Sequence, residues 1–148
     1  MVEIRNFENK MSESKSENKI KHLEFIQLTI ARMNVNSFMV KGWLVTLVAA
    51  IFVLSNKDSN TAFLWIAPFI SILFWILDGF FISTERKYRS LYDEIRLKQE
   101  SEIDYSMNAS KYEGGSNSFF MSLLSITLLL FYPVVIVASI LASAYFNK

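Results

Sequence analysis

The chain has 148 residues, 52% of them hydrophobic and 15% aromatic, and its 15 basic and 14 acidic side chains leave a net charge of +1. That balance excludes bulk electrostatic attraction to nucleic acid, so no duplex nucleic acid is expected as a partner. The absence of cysteine excludes disulfides and thiol chemistry. The hydrophobic excess sits in three blocks, the pattern of an all-α membrane protein.

Residues 1–18 are rich in Ser, Glu, Lys and Asn, and are expected to form a mobile tail. They lack the apolar core of a signal peptide, so the first spanning helix is expected to serve as its own insertion signal. Over residues 19–37, Ile20, Leu23, Ile26, Ile30 and Met33 fall on one side at helical spacing, with Phe25, Leu28, Lys21 and Arg32 on the other. This predicts an interfacial or cytoplasmic helix, and its few Lys and Arg residues favour packing on a neighbouring helix over lying in the lipid surface. Asn36 or Ser37 then suits the N-cap of the next helix.

Residues 38–83 read as a transmembrane hairpin. An apolar run of 18 residues (38–55) and one of 22 (61–82) flank the polar loop Asn56–Asn60. As helices they extend about 27 and 33 Å, which matches a hydrocarbon core of about 30 Å. In lipid the backbone must satisfy its own hydrogen bonds, and helices do so. Gly42, Thr46 and Ala50 form a small-residue stripe that lets another helix approach closely, repeated more weakly by Ala67, Ser71 and Gly79. Pro68 falls in the first two turns, where it does least harm. Trp43, Phe63 and Trp65 mark the membrane boundaries.

Residues 84–105 predict a charged cytoplasmic helix with one contact face, Tyr88, Leu91, Tyr92 and Ile95, and an i,i+4 pair, Glu85 and Arg89. Residues 106–118, with Gly114-Gly115, read as a linker. The block 119–146 is 28 residues without a charge, about 42 Å as a helix. That exceeds the core, so one tilted span kinked at Pro133 is expected. The rival is a re-entrant hairpin turning at Tyr132-Pro133, whose arms of about 13 residues fall short of a crossing. Ala138, Ser139, Ala142 and Ser143 are its small contact positions. Seven basic residues up to Lys41 and six in 83–118, against Lys57 and Lys148 elsewhere, place the N-terminus and both charged stretches, residues 1–37 and 83–118, on the cytoplasmic side of a multi-pass membrane protein.

Lys41 and Asp78 are the two charges within apolar runs, at matching depths about the hairpin loop. An ion pair lowers the cost of burying either one. It reads as a structural clamp, with Lys41 also able to snorkel to the headgroups, or as part of a polar path or gate. Arg86, Lys87 and Arg89, with Arg96, form a basic cluster that suits anionic lipid or the phosphates of a nucleotide signal. His22, the single histidine, is expected to face solvent. With one His and no Cys, no zinc site, cofactor or catalytic residue is expected, and the chain does not read as an enzyme.

The stretch HLEFIQLTIARMNVNSFMVKGWLVTLVAAIF, followed by FWILDGFF and ERKYRSLYDEIR, resembles in layout the SLATT-type effectors of antiviral conflict systems. The resemblance covers about residues 20–105. It implies a homo-oligomeric membrane effector that permeabilises or depolarises the inner membrane when a cytoplasmic protein partner or nucleotide signal releases it, in phage defence. The third apolar block departs from the plain two-helix layout. The alternative is a membrane-anchored scaffold that positions a cytoplasmic partner without forming a pore.

Overall fold

The computed structural model describes the backbone of residues 1–58 and 64–146, and there the chain is all-helical. Residues 59–63, which hold the end of the expected polar loop and Phe63, and residues 147–148 lie outside the described residues. Three helices are long and apolar enough to cross a membrane.

The first, α1 (Val2–Asp58), is a single helix of 57 residues, about 85 Å long. The expected tail over 1–18, the helix over 19–37 and the first membrane segment are therefore one element, without the expected cap at Asn36 or Ser37. No proline or glycine interrupts the sequence before Gly42. The helix penalty of Asn and Ser is only a few tenths of a kcal/mol each. Packing on either side of that point, through Ile26, Val40 and Leu44, outweighs it.

The second helix, α2 (Ile66–Leu97), has 32 residues and runs antiparallel to α1. Gln27 Nε2 donates to the Tyr92 hydroxyl at 3.1 Å, and Lys41 pairs with Asp78 fourteen residues further along α1 and fourteen back along α2. The two helices thus keep one register from the polar half into the apolar half. Helix α2 ends at Leu97, short of the expected Tyr105. Lys19 Nζ donates to the carbonyls of Lys98 (2.6 Å) and Arg96 (3.3 Å), partners for the acceptors that a helix end leaves open. Residues of α1 before Lys19 project past that end.

Residues 98–118, expected as the end of a helix and a linker, form an ordered strap. Ile103 and Ala109 join Ile26, Leu91 and Ile95 in the core of the polar half, flanked by Leu23, Ile30, Tyr88 and Tyr92. Asp104, Ser106 and Asn108 each accept from the backbone N–H two residues on, the local turn chemistry of short polar side chains. Gly114 (φ 136°) and Gly115 (φ 50°) make the turn that glycine alone adopts freely. The strap is tied to α2 where Ser83 Oγ donates to the Asn117 carbonyl at 2.7 Å and Asn117 Nδ2 donates to Ser90 Oγ at 2.9 Å.

The last apolar block divides into α3 (Phe119–Leu123) and α4 (Ile126–Phe146), the latter of 21 residues, about 32 Å. The break resolves the length mismatch. Trp75 Nε1 donates to the Leu123 carbonyl at 3.0 Å, and Gly79 makes room for Leu123, whose Cδ2 lies 2.5 Å from where a Cβ at 79 would stand. Helix α4 continues through Pro133, so no hairpin forms at Tyr132-Pro133. Tyr132 meets Asp78, and Ser143 Oγ donates to the Leu64 carbonyl at 3.1 Å. Helix α4 is therefore antiparallel to α2, with its C-terminal end on the side of the α1–α2 turn.

Candidate functional site

The buried charges meet where α1, α2 and α4 come together. Lys41 Nζ lies 2.5 Å from Asp78 Oδ2, and the Tyr132 hydroxyl donates to the same oxygen at 3.0 Å. Lys41 also donates to Ser37 Oγ (2.9 Å) and to the Ser37 carbonyl (3.3 Å). One turn before Lys41 on α1, Ser37 is thus a second partner for the ammonium and not a helix cap. Asp78 is 0% exposed, whereas the Lys41 side chain keeps 17% of its surface open. Trp75 stacks on Tyr132 with centroids 6.0 Å apart and rings 3° from parallel. Leu44, Leu128 and Tyr132 then begin the apolar core, with Val48, Phe74 and Val135 packed against it.

The sequence places Lys41 and Asp78 together, and the structure adds Tyr132, Trp75 and Ser37. Tyr132 carries a readable signal: a tyrosine within a charge-free span, away from its boundary, needs a partner for its hydroxyl. Asp78 Oδ1 has no hydrogen-bond partner among the described residues. A fully enclosed carboxylate held by donors from two other helices is chemically a clamp. It offers an open path nothing while the three helices stay packed.

The small-residue positions divide. Gly79 is consumed inside the fold, against Leu123. Gly42, Thr46 and Ala50 are exposed on the outer face of α1, and nothing lies within 4 Å of a Cβ at Gly42. Among the described residues, no other helix covers them.

The four basic candidates do not form one cluster. Arg86 Nη1 donates to the Ser116 carbonyl at 2.7 Å, and Lys87 faces Glu113 at 3.7 Å. Arg89 holds Glu85 at 2.7 Å, and Arg96 reaches Asp93 at 3.1 Å. Only Arg86 and Arg89 share a cleft with Lys41. Nearby, Glu94 gathers Lys98, Lys111 and the Tyr112 hydroxyl. That hydrogen bond holds the Lys111 ammonium above its usual value of 10.5, and burial, followed by the bond to Glu94, pushes the Tyr112 hydroxyl above 10.0.

His22 is not solvent-facing. It is 5% exposed, packs edge-on against Tyr105 with centroids 5.5 Å apart, and its Nε2 has no partner among the described residues. Its spacing from Ile26 and Ile30 on the face toward α2 is the signal that marks it as interior. No group of three or more metal-ligating side chains comes together among the described residues. Comparison with family models, with curated proteins and with solved structures finds no match to this chain.

Proposed function

We propose that this protein is a membrane effector that assembles with copies of itself through the outer face of α1 and permeabilises the bilayer under control of a cytoplasmic partner or nucleotide signal. The observation that carries the reading is the unpartnered stripe Gly42, Thr46 and Ala50 on a helix otherwise committed to α2. In lipid, helix association depends on such close approach. Phe25, Leu28, Val35 and Met39 continue the exposed face into the polar half. With Gly42 and Thr46 they recur at steps of three, four and, from Leu28 to Val35, seven residues, a seam suited to a second helix. Because α1 is unbroken, a partner bound to its polar half acts mechanically on its membrane half. In this reading Lys41 and Asp78 lock the closed protomer, and opening separates them. The resemblance of layout supplies the setting, defence against phage.

Gly42→Leu tests this. Its Cβ meets nothing within 4 Å among the described residues and leucine is the better helix former, so thermal stability in detergent is expected to be at or above the wild-type value, while cysteine crosslinking at position 46 between copies is lost. Induced wild type collapses the membrane potential of cells carrying a voltage-sensitive dye, and Gly42→Leu does not. Equal crosslinking and equal potential in both proteins would overturn the proposal.

The second reading, a membrane-anchored scaffold, is favoured by the part of α1 that projects beyond α2, where Ile4 and Met11 are exposed. A normal potential on induction, with a cytoplasmic protein co-purifying only when residues 1–18 are present, selects it.

A further inference from the structure

Above the ion pair, between α1, the middle of α2 and the start of α4, lies a cleft of 590 Å³ whose lining includes Lys41, Glu85, Arg86, Arg89, Ser125 and Thr127. Its charges are unequally matched. Asp78 neutralises Lys41 and Glu85 neutralises Arg89. Arg86 is in no ion pair among the described residues, and its guanidinium is steadied by the Ser116 carbonyl and, at 3.5 Å, by Ser122 Oγ. Three cations against two carboxylates leave one positive charge in excess.

A second feature is independent of charge. Ser125 is 9% exposed, and its hydroxyl oxygen is enclosed with no hydrogen-bond partner among the described residues. A buried hydroxyl left so costs free energy unless something occupies the site. Ser125 also precedes Ile126, the first residue of α4. The N–H groups of Leu128 and Leu129 donate to the Ser125 carbonyl and that of Ser125 to the Ser122 carbonyl, which leaves the N–H groups of Ile126 and Thr127 open at the positive end of the helix dipole.

We propose that this cleft is a phosphate site, in which Arg86 supplies the charge-assisted contact and the Ser125 hydroxyl, with the N–H groups of Ile126 and Thr127, supplies neutral donors. Guanidinium forks and helix N-termini are the two protein features best matched to phosphate oxygens. A phosphodiester carries the single negative charge that balances the cleft. Helix α4, about 32 Å long, begins here, so the site stands at the level where a bilayer holds its headgroup phosphates. The same chemistry fits a soluble nucleotide entering from the polar side.

The test uses the full chain in neutral detergent, titrated in separate arms with phosphatidylglycerol, a diacylglycerol without phosphate, inorganic phosphate and adenosine monophosphate, and read by native mass spectrometry and calorimetry. Phosphatidylglycerol is expected to bind and the diacylglycerol not to. Arg86→Gln is expected to weaken the binding about tenfold or more and Ser125→Ala about threefold. Arg96→Gln, paired with Asp93 at the far end of α2, leaves it unchanged. Binding of the lipid alone assigns the site to the bilayer. Binding of adenosine monophosphate or phosphate, lost in Arg86→Gln, assigns it to a soluble ligand. If Arg86→Gln fails to fold, Ser125→Ala, which removes one unbonded oxygen, carries the same test. The proposal is overturned if no arm binds, or if binding survives both Arg86→Gln and Ser125→Ala. It is also overturned if Arg96→Gln weakens binding as much as they do.

Discussion

Removing the Asp78 carboxylate is the sharpest probe of the three-helix junction. Asp78→Ala strands two groups. The Tyr132 hydroxyl, buried with 0% exposure, loses its acceptor, a loss of about 1–3 kcal/mol for an orphaned buried polar group. The Lys41 ammonium loses its counterion but keeps Ser37 Oγ and the Ser37 carbonyl, and it can extend toward the surface. Its contribution therefore sits near the low end of the range for breaking a buried pair, about 3 kcal/mol, and the variant is expected to lose about 4–6 kcal/mol in all. Asp78→Asn retains an acceptor for Tyr132 and gives up only the charge, at about 1–2 kcal/mol. Lys41→Met leaves a fully enclosed carboxylate with one donor and loses about 3–5 kcal/mol. The double variant Lys41→Met/Asp78→Leu removes both charges, so apolar replacement cancels the charge cost, and only the orphaned Tyr132 hydroxyl remains, a loss of about 1–3 kcal/mol that is smaller than the sum of the single losses. The assay is denaturant unfolding in mixed micelles, followed by tryptophan fluorescence, to which Trp75 against Tyr132 contributes directly. A loss below about 0.5 kcal/mol for Asp78→Ala, or single losses that simply add in the double variant, would refute the assignment of a buried, coupled pair.

Gly79→Val, which drives a side chain into Leu123, is expected to lose about 1–3 kcal/mol and to expose the α3–α4 break to protease. Unchanged stability and cleavage would show that Leu123 does not seat there. His22→Leu replaces an enclosed ring nitrogen that has no partner among the described residues and is expected to raise the stability of the polar half by about 1 kcal/mol, checked by hydrogen exchange at Ile103 and Ala109. Spin labels at Ile20 and Ala50, both exposed, should lie about 45 Å apart in a narrow distribution, from thirty residues at helical rise. A broad or shorter distribution would refute an unbroken α1. Alkaline titration should loosen the strap. Lys111 is raised, so its contribution is complete below 10.5 and is lost as pH climbs through the folded value. Tyr112, also raised, loses its contribution as pH climbs past 10.0. Tyrosine-quenching or hydrogen-exchange profiles that stay flat to pH 11 would contradict both.

Much of the arrangement was legible because exceptions stand out in runs long and apolar enough to cross a membrane. Lys41 and Asp78 are charges in apolar runs, and their matching depth about one short loop told of their partnership. The periodicity of Ile26, Leu91 and Ile95 likewise announced a contact face. What could not be read was decided by groups far away in sequence. Ser37 before an apolar run has the chemistry of a cap, yet it accepts from Lys41 because packing on α2 continues past it. No glycine or proline marks the break at Leu124–Ser125; the Trp75 indole and the space at Gly79, both on α2, set it. The strap hides its two core residues, Ile103 and Ala109, in a polar sequence without period. The polar turn of the hairpin falls largely outside the described residues.

The two glycines of the membrane half show why the outer face of α1 matters. Gly79 is spent within the protomer, where its missing side chain lets α3 approach. At Gly42 a side chain would meet nothing, and glycine in a helix interior costs about 1 kcal/mol relative to alanine. Nothing within the protomer offsets that cost. A second helix at the stripe would, through the close contact that only a missing Cβ permits. Such a contact would also be felt elsewhere. Because Gln27–Tyr92 and Lys41–Asp78 share one register on two unbroken helices, α1 cannot slide along α2 at the stripe without disturbing both the membrane ion pair and the polar-half core. In the proposed assembly, the buried charge is therefore the place where docking on the outer face of α1 would become a change in the packing of the three apolar helices.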